Sequence, residues 1–291
     1  MKTYDIAFSL GFGCGTSQAM RAAGMQFASY PLDWVGVPTV ETGVDLVVSG
    51  FEHWMDADDM ELQNVCHAVG FMTRLYMNRR TRLFYTHEFS DMKPFAETYP
   101  KVLATYERRI ERFLHAMGAA RRILAVWMEV PTHGCPDFSR FRAALTSLRA
   151  RYPGAAVDLL VFAEEPGCAA PKTVLDEDGL TIVTADYRKM DGDRIAHFVE
   201  VSPLVRYLAA NYRVPDGRTP EEKAEFANMD TKIRSLRWGP NRSRFRRWLN
   251  QRAYKLFRHI ESLLQRKGLV HGDVSLWAWP EIRREAEGGA K

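Results

Sequence analysis

One cysteine near the start of the chain stands in a glycine-lined turn, a setting in which reactive groups are often presented. The run is Ser9-Leu10-Gly11-Phe12-Gly13-Cys14-Gly15-Thr16, between an apolar stretch typical of a strand and one typical of a helix. Backbone N–H groups at a helix N-terminus stabilise negative charge, so this position favours a thiolate or a bound anion. A tight turn that simply buries Cys14 fits the same pattern, because free cysteines are often buried.

A nucleophilic cysteine needs a base, a group that orients the base, and donors for an oxyanion. The amides of Gly13 and Gly15 are candidate oxyanion donors. His87 follows a strand-like run, Arg82–Tyr85, and is the first candidate base; a core histidine bonded to the backbone is the alternative. Three acids are candidates to orient it: Asp33, Glu88 and Asp91.

No metal site and no cofactor are predicted. The four cysteines, Cys14, Cys66, Cys135 and Cys168, are widely separated, and no H-x-x-x-H or H-E-x-x-H spacing occurs. The glycine run lacks the third glycine of the dinucleotide fingerprint and a following P-loop lysine. The sequence therefore favours chemistry carried by side chains alone.

The elements that must position these residues alternate between helix and apolar strand. A strand over 4–10 is followed by helices over 16–23, 39–48 and 99–117, and then by a buried-type strand over 122–130. A helix over 138–151, strands over 156–163 and 181–185, and a helix over 199–212 follow. This order predicts an α/β fold: a three-layer, parallel-type sheet with helices on both faces and the first strand at its centre.

The C-terminal part has a different composition from the rest. Between Thr231 and Lys267 there are twelve Lys and Arg residues and one acid, whereas the whole chain carries a net charge of +4. Residues 243–267 have the apolar spacing of an amphipathic helix with arginines on the opposite side. We therefore predict two domains: an α/β domain over 1–228 with the Cys/His site, and a basic helical extension over 229–291.

Three interpretations of the basic helix remain open: a docking helix that completes the core, contact with an anionic membrane surface, and contact with a polyanion. Nucleic acid is disfavoured, because the aromatic residues follow the apolar stripe and are not interleaved with the basic face. The N-terminal residues do not have the pattern of a signal peptide, and no apolar run is long enough to span a bilayer. We expect a cytoplasmic protein with reduced thiols, with association to a membrane through 243–267 as the alternative.

Several segments of the first 130 residues form an ordered set: Phe8-Ser9-Leu10-Gly11 with Cys14, Ser29-Tyr30-Pro31-Leu32-Asp33-Trp34, Phe51 with Trp54, Tyr85-Thr86-His87-Glu88-Phe89, and Tyr106–Phe113. Together, and in this order, they resemble a bacterial domain-of-unknown-function family labelled papain-like cysteine peptidases. The resemblance implies that Cys14 is the nucleophile and His87 its base.

The cysteine turn departs from true papain-like enzymes. It lacks C-G-S-C-W, and His87 follows Cys14 by 73 positions where those enzymes leave roughly 130–150. A strand that ends in a nucleophile turn looks more like an SGNH-type esterase with Cys in place of Ser. In that arrangement His197 with Asp193, placed after the last sheet strand, is the competing base.

These observations predict a cysteine-dependent hydrolase or acyl transferase acting on a peptide, an ester or an acylated glycan. The alternative is a non-catalytic, ligand-binding protein of surface-polysaccharide biosynthesis that docks to the inner membrane through its basic helix.

Overall fold

A computed structural model describes residues 1–11, 13–68, 71–85, 88–89, 94–129, 138–165, 167–168, 170–186, 190–191, 194–195, 203–221 and 223–224. The backbone alone is described for 64–68, 71–73, 190–191 and 194–195. The chain divides into two compact units, Met1–Asp216 and Gly217–Lys291. The predicted extension over 229–291 lies outside the described residues, so it and the boundary after 228 stay predictions.

The described residues form five α-helices and thirteen strands. The helices are α1 (Cys14–Ala22), α2 (Val40–Ser49), α3 (Phe95–Ala119), α4 (Phe138–Arg151) and α5 (Pro203–Asn211). The strands are β1 (Lys2–Thr3), β2 (Ile6–Ser9), β3 (Val35–Gly36), β4 (Met60–Ala68), β5 (Phe71–Asn78), β6 (Phe84–Tyr85), β7 (Arg122–Met128), β8 (Ala156–Glu164), β9 (Lys172–Glu177), β10 (Leu180–Ala185), β11 (Met190–Asp191), β12 (Arg194–Ile195) and β13 (Tyr212–Arg213). Two short 3-10 helices cover Pro31–Asp33 and Ala57–Asp59.

The central sheet has five strands in the order β2-β7-β8-β10-β9. The first four strands of this order are parallel, with Ile6 opposite Ile123 and Ile123 opposite Val157, and β9 is antiparallel to β10. The carboxyl ends of β2, β7, β8 and β10 therefore lie along one edge of the sheet, which is where open α/β sheets bind ligands.

Helices cover both faces of this sheet, which confirms the predicted three-layer α/β fold. Phe8, Ala125 and Trp127 pack with buried residues of α2, α3 and α4 in one apolar core. Ala7 and Val126, which alternate with them along the strands, pack with α1 and α5 in a second core. Strand side chains point alternately to the two faces, so β2 and β7 contribute to both cores.

The prediction that the first strand lies at the centre of the sheet is wrong. β2 pairs with β7 on one side, and no other described strand pairs with it in this sheet. The long chain segment between β2 and β7 instead builds a separate antiparallel sheet, in the order β3-β6-β5-β4. Two further two-stranded pairs, β1 with β13 and β11 with β12, complete the pairing of the described strands.

Most of the predicted elements are found with shifted ends. The predicted helix over 138–151 matches α4, and Thr39 is the N-cap of α2, where its side chain accepts a hydrogen bond from the Thr42 amide. α3 begins at Phe95, four residues before the predicted start, with Pro100 inside the helix. The prediction rested on the apolar stripe that starts at Val102, and that stripe does not mark the first turn of the helix.

Candidate functional site

The glycine turn after β2 is fixed by close packing. The Leu10 amide donates to the Val126 carbonyl of β7 at 2.9 Å, and the Gly11 amide donates to Ser9 Oγ at 3.0 Å. Gly11 has a φ of 119°, and a Cβ on it would lie 2.1 Å from Val37 Cγ2. Glycine is therefore required at position 11 both by its backbone conformation and by the close approach of Val37.

Cys14 is the first residue of α1, directly beyond the carboxyl end of β2. Its side chain is half-buried and forms no disulfide. The N-cap is Gly13, with a φ of 87°, which has no side chain with which to cap the helix. A thiol in this place lies in the field of the N-terminal amides of α1, a setting that favours negative charge.

The two predicted oxyanion residues flank the cysteine. Gly15 is the second residue of α1, and a Cβ added at Gly13 would meet nothing within 4 Å. The space beside Gly13 is therefore open to an incoming group. Thr16 closes the turn from the inner side, because its hydroxyl donates to the Gly11 carbonyl at 3.0 Å.

Asp33 lies next to α1 and is fully buried. Its Oδ2 accepts from the Tyr30 amide at 2.7 Å and from Gln26 Nε2 at 2.7 Å, and Arg21 Nη2 lies 3.5 Å away. Among the described residues, Asp33 Oδ1 has no hydrogen-bond partner. Burial raises the pKa of this carboxyl, and the nearby Arg21 opposes that rise. These contacts hold the 3-10 helix Pro31–Asp33 against α1.

Ser17 connects the cysteine to this buried carboxyl segment. Its hydroxyl oxygen lies 3.3 Å from the Cys14 carbonyl oxygen and 3.0 Å from the Asp33 carbonyl oxygen. The hydroxyl proton is donated to one of these two carbonyl oxygens. Cys14 and the peptide that follows Asp33 are therefore neighbours. The role of Asp33 as an orienting group for a histidine stays a prediction.

Glu88 is anchored against α3. Its Oε1 accepts from the Tyr106 hydroxyl at 2.6 Å, and burial, followed by the charge of Glu88, raises the pKa of Tyr106 well above its usual value. Tyr85 is also fixed, because its hydroxyl donates to the Trp54 carbonyl at 2.7 Å. Tyr85 is thus held by a buried hydrogen bond and Glu88 by a partly buried one.

The remaining predicted site residues are outside the described part of the chain. These are His87 and Asp91, the alternative pair His197 and Asp193, and the basic helix over 243–267. Their predicted roles stay predictions.

A buried carboxylate at the end of β7 was missed by sequence reasoning. Glu129 follows β7, accepts from Trp127 Nε1 at 2.6 Å, and lies 3.4 Å from Arg140 Nη1. Arg140 also holds Glu41, the acid in the first turn of α2, at 3.1 and 3.2 Å. Burial raises the pKa of Glu129, and Arg140 opposes that rise. An acid directly after an apolar strand was the signal that could have found it.

The described residues contain neither a group of metal-binding side chains nor a helix suited to span a membrane. In that part of the chain no His, Cys, Asp and Glu side chains are grouped so as to hold a metal ion. None of its helices combines the length and the apolar character needed to cross a membrane.

Comparison with known proteins finds a family whose sequence model matches the N-terminal part of the chain. Residues 5–133 match the sequence model of the family described as "Putative papain-like cysteine peptidase". This match confirms the resemblance noted in the sequence, and it includes the cysteine turn, the buried Asp33 segment, Glu88 and β7. No curated protein and no solved structure matches the chain.

Proposed function

We propose, on the premise that residues 5–133 have the sequence of this family, that the protein is a cysteine-dependent hydrolase or acyl transferase with Cys14 as its nucleophile. The observation that carries the proposal is the place of the half-buried Cys14 at the N-terminus of α1, beyond the carboxyl end of β2. Reactive cysteines lie in partly exposed, electropositive places such as a helix N-terminus, whereas structural cysteines are usually enclosed in apolar surroundings.

The reaction that fits this site is acyl transfer through a thioester. The Cys14 thiolate attacks the carbonyl carbon of the substrate, and the amides of Gly13 and Gly15 donate to the oxyanion. The tetrahedral intermediate collapses with loss of an alcohol or amine, which takes its proton from the His87 imidazolium. Water or another nucleophile, deprotonated by His87, then attacks the thioester and restores the thiolate. Water makes the protein a hydrolase, and another acceptor makes it a transferase.

His87 is proposed as the base because the family pattern implies it. Its described neighbours in the sequence, Tyr85 and Glu88, take part in a buried and a partly buried hydrogen bond, to the Trp54 carbonyl and from the Tyr106 hydroxyl. Glu88, Asp33 and Asp91 remain the proposed orienting groups, with His197 and Asp193 as the competing base and its partner.

The test uses a p-nitrophenyl ester as a generic acyl donor. The full chain should release nitrophenol in a burst and carry the acyl group on Cys14, as mapped by mass spectrometry of its peptides. Cys14→Ala should lose both the burst and the acylated peptide. Cys168→Ala is the matched control, because Cys168 is also half-buried and lies beyond the carboxyl end of β8 in the same sheet.

His87→Ala and His197→Ala separate the two candidate bases. The variant that removes the true base should slow acylation at neutral pH by about a hundredfold or more, with less effect at high pH where hydroxide supplies the thiolate. The other variant should keep the wild-type pH profile. Acylation of Cys14 no faster than that of Cys168 would refute the proposed function.

A further inference from the structure

The segment 37–43 touches the cysteine turn at both of its ends. At its start, Val37 packs against Gly11, where an added Cβ would lie 2.1 Å from Val37 Cγ2. At its end, α2 lies so close to β2 that a Cβ on Gly43 would come 2.4 Å from the Leu10 carbonyl oxygen. The position of this segment therefore sets the position of the backbone that forms the cysteine turn.

One arginine holds the middle of this segment to the central sheet. Arg140, the third residue of α4, donates to both carboxylate oxygens of Glu41, from Nε at 3.1 Å and from Nη2 at 3.2 Å. Its Nη1 lies 3.4 Å from Oε1 of Glu129, which is buried and directly follows β7. A bidentate contact fixes geometry as well as charge, because the planar guanidinium matches the carboxylate. Arg140 therefore connects the first turn of α2 to the end of β7.

These contacts form a closed path that begins and ends at the cysteine turn. The Leu10 amide donates to the Val126 carbonyl of β7 at 2.9 Å. Glu129 continues this strand, because its amide donates to the Phe162 carbonyl of β8 at 2.7 Å. From Glu129 the path runs through Arg140 and α2 back to the Leu10 carbonyl. Loss of the arginine would remove this polar connection between the first turn of α2 and the sheet.

We propose that Arg140 is a positioning residue for Cys14. Through Glu41 it fixes the start of α2, and α2 with the residues before it fixes the turn from which the thiolate attacks. Arg140 acts through the backbone in this way and neither contacts the substrate nor transfers a proton. The inference rests on the proposed function, since it concerns the geometry in which the same thiolate is acylated.

Arg140→Gln tests the proposal in the burst assay with the p-nitrophenyl ester. The variant should lower the limiting rate of Cys14 acylation about tenfold to a hundredfold, the loss that follows from displacing a reacting group by up to about 1 Å. The ester concentration at half-maximal rate should stay unchanged, because no contact with the substrate is removed. Arg140→Lys should give an intermediate rate, since an ammonium group keeps the charge but cannot make the bidentate contact.

Arg142→Gln is the matched control, because Arg142 lies on the same helix and pairs with Glu177 of β9 at 2.9 Å. It removes an ion pair at the opposite edge of the sheet from β2 and should leave the acylation rate unchanged. Glu41→Gln breaks the bidentate contact at an exposed side chain and should lower the limiting rate in the same way, so it remains the test should Arg140→Gln fail to fold. The variant with both changes should be no slower than the slower single variant, because both remove the same contact.

The two hypotheses fail in different ways. Suppose that wild-type Cys14 is acylated quickly. Limiting rates in Arg140→Gln and Glu41→Gln equal to that of Arg142→Gln, or an effect confined to the half-saturating ester concentration, would then overturn the positioning role and leave the proposed function standing. Acylation of wild-type Cys14 no faster than that of Cys168 would overturn the proposed function, and the positioning role with it.

Discussion

Replacing Gly11 with alanine tests whether the cysteine turn is fixed by contact with Val37. At a φ of 119° an alanine is strained, which costs about 1–3 kcal/mol. The added Cβ would also lie 2.1 Å from Val37 Cγ2 and 2.4 Å from Val37 Cβ. Val37 has no exposed surface, so it cannot move into solvent, and the overpacking adds about 1–3 kcal/mol. Gly11→Ala should therefore lower the free energy of unfolding by about 2–6 kcal/mol.

Gly13→Ala is the matched control for this substitution. Gly13 also has a positive φ, 87°, but a Cβ there meets nothing within 4 Å. Gly13→Ala should therefore lower the free energy of unfolding only by the cost of the strained backbone conformation, about 1–3 kcal/mol. Urea unfolding followed by tryptophan fluorescence gives both free energies, since Trp127 lies fully buried in the central sheet.

A double-mutant cycle isolates the contact with Val37. Val37→Ala removes Cγ2, the atom nearest to the added Cβ, together with Cγ1, and leaves the approach of Val37 Cβ at 2.4 Å. Gly11→Ala should therefore cost less in that background, by about 0.5 kcal/mol or more. Equal costs for Gly11→Ala and Gly13→Ala, together with strict additivity in the cycle, would show that packing against Val37 does not constrain the turn.

Three further predictions concern the buried polar groups around the site. Asp33→Asn removes a carboxyl whose pKa is raised from 3.8 in the folded protein. Because the wild type must ionise this buried group, its free energy of unfolding should fall as pH rises above about 4, and that of the variant should not. Urea unfolding at several pH values should therefore show the difference in free energy of unfolding shifting in favour of the variant as pH rises. Tyr106→Phe removes a hydrogen bond to the Glu88 carboxylate and should lower the free energy of unfolding by about 1.5–3 kcal/mol. Tyr85→Phe loses a hydrogen bond to a neutral carbonyl and should lower it by about 0.5–1.5 kcal/mol. Equal losses in the two variants would contradict this difference. Ser17→Ala releases the Cys14 carbonyl from the segment after Asp33 and should slow alkylation of Cys14 severalfold, with the Cys168 rate as the internal reference; an unchanged rate would show that this link does not position the thiol.

The sequence predicted those elements that have a local signal, such as the apolar periodicity of a helix. The helix over 138–151 was predicted because its signals are local. β4 and β9 were not predicted. β9 lies at the edge of the sheet and most of its residues are exposed, so its sequence lacks the apolar alternation that marks a strand. The position of β2 at the side of the sheet depends on pairing with β7, far away in sequence, which no local pattern encodes.

The candidate site shows the same division between local and long-range information. The glycine run predicted a turn that carries Cys14 and a helix from Thr16, because glycine residues permit positive φ values such as those found at Gly11 and Gly13. The helix in fact begins at Cys14 itself. The contact of Gly11 with Val37 and the link from Ser17 to Asp33 could not be predicted, since both join segments that are distant along the chain. Glu129 was overlooked because a single acid after a strand has no partner visible in sequence, whereas Arg140 lies on the following helix.

The pairing of β2 with β7 has a consequence for the order in which the protein is assembled during synthesis. The Leu10 amide is held by the Val126 carbonyl, so the turn that presents Cys14 is locked by residues made more than a hundred positions later. A ribosome therefore extrudes the cysteine long before the strand that fixes it, and contacts of such long sequence separation form late in folding. We therefore expect the turn around Cys14 to be fixed only after β7 has been added to the sheet. Incomplete chains that lack β7 should not hold the cysteine in this geometry.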